Sequence, residues 1–136
     1  MATPFVHTRR VEFGDTDMAG IMHFSNFFRF MESAETDFLR SKGLKVSWVE
    51  LGVKHGFPRV NVSCDYREPA RFEDLLTIEV TVERIGTKSL TLNFVFTRDD
   101  LALAVGHITS VYVRDNGKGG MEALVIPDDL RAKLEA

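Results

Sequence analysis

The sequence contains very little cysteine. Cys64 is the only cysteine among 136 residues, so no intramolecular disulfide can form and a zinc cluster built from cysteines is excluded. No apolar run is long enough to span a bilayer, and the N-terminal segment turns polar after Val6, without the apolar region of a secretory signal. We therefore expect a cytoplasmic protein that does not bind membranes.

The chain also lacks a surplus of positive charge. Lysine and arginine contribute 17 residues against 20 aspartates and glutamates, which gives a formal net charge of −3. No basic field is present to attract phosphates, so nucleic acid is not an expected partner. Phenylalanine, by contrast, is abundant, with 11 copies against two tyrosines and one tryptophan. A chain of this length can bury a real core, and residues 1–136 fit a single domain.

A long amphipathic helix is predicted after a glycine-bounded turn at residues 14–20. Apolar side chains follow the i, i+3, i+4 spacing of a helix from Phe24 to Leu39, and charged residues fall on the opposite face. Gly43 is the expected stop at the C-terminal end. The helix would contain about 18 residues and measure about 27 Å.

Alternation of apolar and polar residues predicts strands on both sides of this helix. One strand is expected at residues 5–13 and others at 60–66, 76–83, 90–97 and 101–113. A short second helix is predicted at 46–51, a tight turn at 115–120 and a short helix after residue 126. A lone helix followed by consecutive strands indicates an α+β layer, with an antiparallel sheet covering the helix. This arrangement leaves apolar surface uncovered, so we expect an oligomer.

Two aspartates, Asp15 and Asp17, lie in the turn that precedes the predicted helix. A carboxylate in this position is near the backbone N–H groups that the start of a helix leaves unpaired. The carboxylate could attack an acyl group or activate water, and the N–H groups could stabilise an oxyanion. Aspartate is also a common turn residue, so a purely structural role is the alternative.

The segment from Val11 to Ile21, VEFGDTDMAGI, closely resembles the opening of hot-dog-fold acyl-CoA thioesterases of the 4-hydroxybenzoyl-CoA thioesterase type. Weaker similarities follow in the same order at residues 56–58, 72–79, 88–89 and 125–127. The resemblance implies an α+β hot-dog fold, in which a curved antiparallel sheet wraps around one long central helix. It also implies homodimers, often paired into tetramers, with active sites at the subunit interface. An acyl-CoA is the expected substrate, and neither a metal nor a cofactor is expected.

The resemblance assigns roles to residues around the turn. Asp17, the second aspartate of the D-x-D pair, would be the nucleophile or the general base, and Asp15 would bond turn N–H groups. A thiol leaving group, with a pKa of about 8.5, needs no strong general acid. The backbone N–H of Phe24 is expected to bind the oxyanion. His23 differs from the residue of many relatives, and it could orient water, bind the acyl group or do neither.

Three residues within apolar patterns are further candidates for catalysis or substrate binding. Glu35 lies in the apolar stripe of the helix, where an unpaired carboxylate is costly. It would either pair with an arginine or lysine across a subunit contact or reach a wet active site, because some hot-dog thioesterases use a helix-borne glutamate. Phe27 and Phe57 would lie mostly in the core, although either could line an acyl pocket.

Three polar residues near a predicted strand-to-strand turn are candidates for binding the substrate. Arg84, Lys88 and Ser89 could contact the phosphates of coenzyme A by resemblance, since lysine binds phosphate as a point charge. The alternative is an ordinary polar turn.

An acyl-CoA thioesterase is the leading functional prediction. It would convert a coenzyme A thioester and water into a carboxylic acid and free coenzyme A. A hot-dog hydratase or dehydratase acting on hydroxyacyl thioesters is the alternative enzyme, but the Asn-Pro and His expected after its aspartate are absent. A non-catalytic acyl-thioester binding module is the third possibility, and the intact D-T-D-x-x-G motif argues against it. The acyl group, and the choice between coenzyme A and acyl carrier protein, stay open.

Overall fold

Five antiparallel strands form the main sheet in a computed structural model that describes residues 4–136 of the chain. Across the sheet, the order is β1 (Phe5–Arg10), β5 (Leu75–Ile85), β6 (Ser89–Arg98), β7 (Leu101–Val111) and β4 (Arg59–Tyr66). Along β6, buried and half-buried side chains alternate, as a sheet with one covered face requires. The strands predicted from alternation are confirmed, except that β1 ends early and the strand predicted at 101–113 ends at Val111. A reciprocal capping box between Glu12 and Asp15 bends the chain there into a 3-10 turn at Phe13–Asp15.

One long helix, α1 (Asn26–Ser41), packs against the covered face of this sheet. It has 16 residues, close to the predicted length. Gly43 adopts a φ of +73° and ends the helix as predicted, because this left-handed conformation suits glycine best. The helix buries seven side chains: Phe27, Phe30, Met31, Ala34, Glu35, Phe38 and Leu39.

Two aromatic positions near α1 differ from the prediction. Phe24, expected in the apolar stripe, lies before the first residue of the helix and is 61% exposed. Phe30, outside the predicted stripe, is fully buried beneath the guanidinium of Arg9, which lies 4.2 Å from the centre of its ring. The apolar stripe is therefore wider than predicted, and Arg9 of strand β1 covers its edge at Phe30.

A glycine in β7 allows α1 to approach the sheet closely. A Cβ atom at Gly106 would lie 2.6 Å from Sδ of Met31, a separation that real Cβ atoms essentially never show. The missing side chain thus provides the space that Met31 fills. Helix and sheet interlock at this pair, as the close packing of protein interiors requires.

A second, four-stranded sheet has the order β2 (Ser47–Glu50), β3 (Val53–Gly56), β8 (Val113–Asp115) and β9 (Met121–Ala123). The short helix predicted at 46–51 is therefore wrong. Leu51 and Gly52 have φ angles of 51° and 78°, and a two-residue turn of this kind joins antiparallel strands into a hairpin. Phe57 and Tyr112 belong to a small second core. The ring of Trp48 packs against this core, with its centre 6.0 Å from that of each of these two rings.

The remaining elements complete the expected arrangement. In the tight turn at 115–120, Asp115 Oδ1 accepts a hydrogen bond from the Gly117 N–H at 2.8 Å. The short C-terminal helix is α2 (Asp128–Glu135). An antiparallel sheet around one central helix, with a short helix at the end, confirms the predicted α+β hot-dog fold. Among residues 4–136, no helix has the length and apolar character needed to cross a membrane.

Candidate active site

The two aspartates lie on one arm of a small hairpin that connects the 3-10 turn with α1. The Asp17 N–H donates to the Ile21 carbonyl at 2.9 Å, and Thr16 forms an antiparallel bridge with Met22. The turn between the arms contains Gly20, whose φ of +81° favours glycine. The second arm is anchored by the Met22 N–H, which donates to the Ala70 carbonyl at 2.7 Å. Local turn chemistry therefore holds Asp17 against the segment that leads into β5.

The carboxylate of Asp17 has one fixed oxygen and one open oxygen. Oδ1 accepts a hydrogen bond from the Ala19 N–H at 2.8 Å. Within residues 4–136, no protein group donates to Oδ2, and the side chain is half-buried. A carboxylate held in this way can attack an acyl carbon or accept a proton from water.

Asp15 has a structural role, as predicted. Its Oδ2 accepts a hydrogen bond from the Glu12 N–H at 2.8 Å. Its carbonyl oxygen accepts two more, from the His23 N–H and from Nδ2 of Asn26, both at 2.8 Å. Asn26 thus ties the first turn of α1 to the loop that carries Asp17. Sequence reasoning missed this residue, although an amide side chain at a helix start commonly bonds nearby backbone.

The N–H group of Phe24 is the open donor at the start of α1. The N–H groups of residues 26–28 donate to carbonyls three residues earlier, at distances from 2.9 to 3.3 Å. The Ser25 N–H donates to Nδ1 of His23 at 3.2 Å. In the part of the chain that the structure describes, the Phe24 N–H has no acceptor. The expected cluster of free donors therefore reduces to this one group.

The imidazole of His23 is held by its own neighbours. Nδ1 lies 2.8 Å from Ser25 Oγ and accepts the Ser25 N–H, so a neutral ring carries its proton on Nε2. The ring stacks on Phe24, with the ring centres 4.6 Å apart. In this tautomer, His23 is able to donate a hydrogen bond from Nε2. Its role in water or acyl binding stays a prediction.

Tyr66, at the end of β4, contacts the same segment and was not predicted. Its hydroxyl donates to the Phe24 carbonyl at 3.0 Å, and its ring meets Phe27 edge-on at 5.1 Å. Phe27 is itself 3% exposed, so it supports the site from below and does not line an open pocket. Tyr66 lies 42 residues from Phe24 in the sequence, so no local pattern predicts this contact.

Exposed apolar side chains lie in the loop that carries Asp17 and in the segment bonded to it. Phe13 and Phe72 are 77% and 49% exposed, and their rings meet edge-on at 5.9 Å. Met18 is fully exposed, and Phe24 is more than half exposed. Uncovered apolar side chains of this size are typical of surfaces that bind a ligand or a partner.

Glu35 pairs with an arginine of the same chain. The Glu35 side chain is 2% exposed, and its Oε1 accepts hydrogen bonds from Nε of Arg59, at 3.0 Å, and from Nη2. Burial raises the pKa of the Glu35 carboxyl, and the guanidinium opposes this shift. The predicted pairing is confirmed, but the partner comes from β4 and not from another subunit. A catalytic role for Glu35 stays a prediction.

The other predicted binding residues lie far from Asp17 within one protomer. Arg84 lies at the far end of β5, and Lys88 and Ser89 come after that end. The hairpin that carries Asp17 is bridged to the segment before the first residue of β5. The length of this strand separates them, roughly 30 Å at the usual rise per residue. Phe57 is 1% exposed and belongs to the second core. Nor do residues 4–136 contain three or more His, Cys, Asp or Glu side chains grouped to hold a metal ion.

A model of the thioesterase-like superfamily matches residues 11–134. The chain belongs to this superfamily. A 1,4-dihydroxy-2-naphthoyl-CoA hydrolase of Prochlorococcus marinus (strain MIT 9515) is 26% identical over 133 residues, which cover 94% of the chain and 87% of that relative. A 4-hydroxybenzoyl-CoA thioesterase of Pseudomonas sp. (strain CBS-3) is 34% identical over 92 residues, which cover 65% and 64% of the two chains.

A solved structure of a gentisyl-coenzyme A thioesterase resembles this thioesterase-like protein along nearly its whole length. The TM-score is 0.80 at 28% sequence identity, and the match covers 96% of this chain and 99% of the other. The family and fold implied by the VEFGDTDMAGI segment are therefore confirmed.

Proposed function

We propose that this protein is an acyl-CoA thioesterase that hydrolyses a coenzyme A thioester to a carboxylic acid and free coenzyme A. The observation that carries the proposal is the hairpin before α1. Within residues 4–136, it presents an oxygen of Asp17 that accepts no hydrogen bond, and the N–H of Phe24, which has no acceptor there, follows its second arm directly. A carboxylate and an open backbone donor are the two groups that thioester cleavage requires, because thiolate leaves without a strong acid.

Two chemical roles are compatible with the position of Asp17. As a nucleophile, it attacks the thioester carbon, the carbon–sulfur bond breaks, coenzyme A leaves as thiolate, and water hydrolyses the resulting anhydride. As a general base, it takes a proton from the water that attacks the same carbon. In both cases, negative charge develops on the carbonyl oxygen, and the Phe24 N–H stabilises it.

The proposed substrate carries an aromatic acyl group. The relatives described above are named for dihydroxynaphthoyl, hydroxybenzoyl and gentisyl thioesters, all of which are aromatic. The apolar side chains near Asp17, Phe13, Phe24 and Phe72 among them, suit contact with a planar ring. Coenzyme A is the proposed carrier because the same three relatives are named for coenzyme A thioesters.

The proposed assembly is a homodimer, and two such dimers would form a tetramer. Strand β4 is an edge of the main sheet, and it leaves Val60 and Val62 61% and 41% exposed. An exposed edge strand with apolar side chains is a template for pairing with a second chain. Assembly would also allow Lys88 and Arg84 of one chain to approach Asp17 of another. A single domain over residues 1–136 and a cytoplasmic location stay predictions.

A thiol-release assay across aryl-CoA and fatty acyl-CoA thioesters tests the proposal, with the Asp17→Asn variant alongside. We expect the wild type to cleave aryl-CoA thioesters and the variant to be inactive. Asp99→Asn is a matched control, because it removes an exposed carboxylate in the β6–β7 turn, where asparagine tolerates the observed φ of +49°. No thiol release from any substrate would overturn the proposal. Faster cleavage of fatty acyl substrates would overturn only the aromatic assignment.

A further inference from the structure

A second set of reactive side chains lies in a groove along the outer face of α1. The groove has a volume of about 1120 Å³, and β1 and residues 43–47 form its walls. Its lining carries hydroxyl, imidazole, carboxylate and guanidinium groups, and the four arginines Arg9, Arg29, Arg40 and Arg59 outnumber the two carboxylates of Glu32 and Asp37. None of these residues belongs to the hairpin that carries Asp17.

Three of these side chains form a hydrogen-bonded relay. Ser33 Oγ lies 3.1 Å from Nε2 of His7, and Nδ1 of the same ring lies 3.0 Å from Oδ2 of Asp37. An ionised carboxylate only accepts hydrogen bonds, so Asp37 fixes the proton of the neutral ring on Nδ1. The lone pair of Nε2 then faces the serine hydroxyl. Serine, histidine and aspartate have this order and these contacts in nucleophilic hydrolases.

The surroundings hold the relay in place. The imidazole is 16% exposed, between β1 and α1. Arg40 donates to the other oxygen of Asp37 at 3.2 Å, so both carboxylate oxygens have a partner that fixes their position. Ser33 is half-buried and faces the groove.

We propose that Ser33 is a second nucleophile of this protein, with His7 as its base and Asp37 as the group that orients His7. The substrate class is an ester or thioester of a carboxylic acid that bears an additional negative charge. Arg29 lies one helical turn before Ser33 and lines the same groove, together with Lys45. Among the residues that the structure describes, neither has an ion-pair partner within 4 Å, so both can attract an anion.

The reaction balances without any further reagent. Ser33 Oγ attacks the acyl carbon while Nε2 of His7 takes the hydroxyl proton. The guanidinium of Arg29, which lines the same groove one helical turn away, would offset the charge on the oxyanion. The bond to the leaving group breaks, and the leaving group takes the proton from His7. Water then attacks the acyl-serine ester with His7 as the base, which releases the acid and restores Ser33.

Labelling with a fluorophosphonate probe tests the nucleophile directly. The experiment uses the Asp17→Asn chain, so that the hairpin site contributes no turnover, and mass spectrometry of peptides locates the label. We expect one label on Ser33, and none after Ser33→Ala. His7→Gln and Asp37→Asn should each slow labelling, the former by about a hundredfold, because general bases typically contribute at least that much.

Thr36→Ala is the matched control. Thr36 lines the same groove, but its hydroxyl donates to the Glu32 carbonyl, whereas the hydrogen-bond partners of His7 are Ser33 and Asp37. Labelling should therefore be unchanged. A chain that stays unlabelled at Ser33, or that is labelled at the same rate without His7, would overturn the proposal. Circular dichroism of each variant establishes that it is folded.

Ester hydrolysis by the same Asp17→Asn chain tests the substrate class. Mono-p-nitrophenyl succinate and p-nitrophenyl butyrate are similar in size and differ in charge. The anionic ester should react faster, and Arg29→Gln should reduce the difference, while Lys45 still lines the groove. Equal rates for the two esters would refute the assigned charge preference, and hydrolysis that is unchanged by Ser33→Ala would refute the site.

Discussion

The hydroxyl of Tyr66 donates a hydrogen bond to the carbonyl oxygen of Phe24 at 3.0 Å. This carbonyl belongs to the residue whose N–H we propose as the oxyanion donor. Tyr66 therefore fixes the residue from its far side, while the ring of the same tyrosine packs edge-on against Phe27 in α1. The end of β4 is therefore linked to the proposed site through Tyr66.

Removal of this contact should slow turnover without unfolding the protein. In Tyr66→Phe, the ring still packs against Phe27, but the hydrogen bond to Phe24 is lost. A net value of about 1 kcal/mol for such a bond corresponds to a decrease in kcat of about fivefold. Steady-state kinetics would measure this change, with KM largely preserved. A variant with wild-type kcat would show that Tyr66 does not position the donor.

The N–H of Phe24 can be removed by proline, which has no backbone donor. We expect Phe24→Pro to lower kcat by about a hundredfold or more, as the loss of an oxyanion donor typically does. Phe24→Ala is the control, because it removes the ring and keeps the N–H. The two variants should differ sharply in thiol release while both retain wild-type circular dichroism. If they lose activity equally, the ring of Phe24 matters and its N–H does not.

In an Arg59→Met variant, the buried carboxyl of Glu35 loses its partner and should dominate the pH dependence of stability. Burial raises the pKa of Glu35 above its ordinary value of 4.5, and loss of the guanidinium removes the opposing influence. A carboxyl with a higher pKa in the folded state favours folding when protonated, so stability falls as the pH rises above about 4.5. The variant should lose about 3–5 kcal/mol at pH 7, and less at pH 4.5.

Urea denaturation of the wild type and of Arg59→Met at the two pH values would measure this effect. Adding Glu35→Gln to the variant should remove the pH dependence, because no buried charge is left. If Arg59→Met is equally destabilised at both pH values, the loss comes from packing and not from an unpaired carboxylate.

Local sequence determines much of this fold. Leu76, Ile78 and Val80 alternate with polar residues along β5 and are all buried, so their spacing alone predicts the strand. The helix prediction for residues 46–51 is wrong because the structure of this segment depends on a turn. Leu51 adopts a φ of 51°, which is unfavourable for leucine, and the pairing of β2 with β3 compensates for it. That compensation comes from tertiary structure, and periodicity does not show it.

In the candidate active site, too, local sequence predicts some residues, whereas others depend on tertiary structure. Asp17 could be predicted because a turn residue and the motif around it lie within ten residues of each other. The partners that hold the site come from elsewhere in the chain. Arg59 reaches Glu35 over 24 residues, and Tyr66 reaches Phe24 over 42. Such contacts depend on how strands align over α1, so no local pattern indicates them.

Asp17 and Lys88 lie near opposite ends of β5, and this separation predicts complementation between two inactive variants. If each complete site takes Asp17 from one chain and Lys88 from another, two defective chains can complement each other. An Asp17→Asn chain and a Lys88→Ala chain, refolded together in equal amounts, would form mixed dimers in half of all cases. Each mixed dimer has one site with both original residues, so the mixture should recover roughly one quarter of wild-type activity.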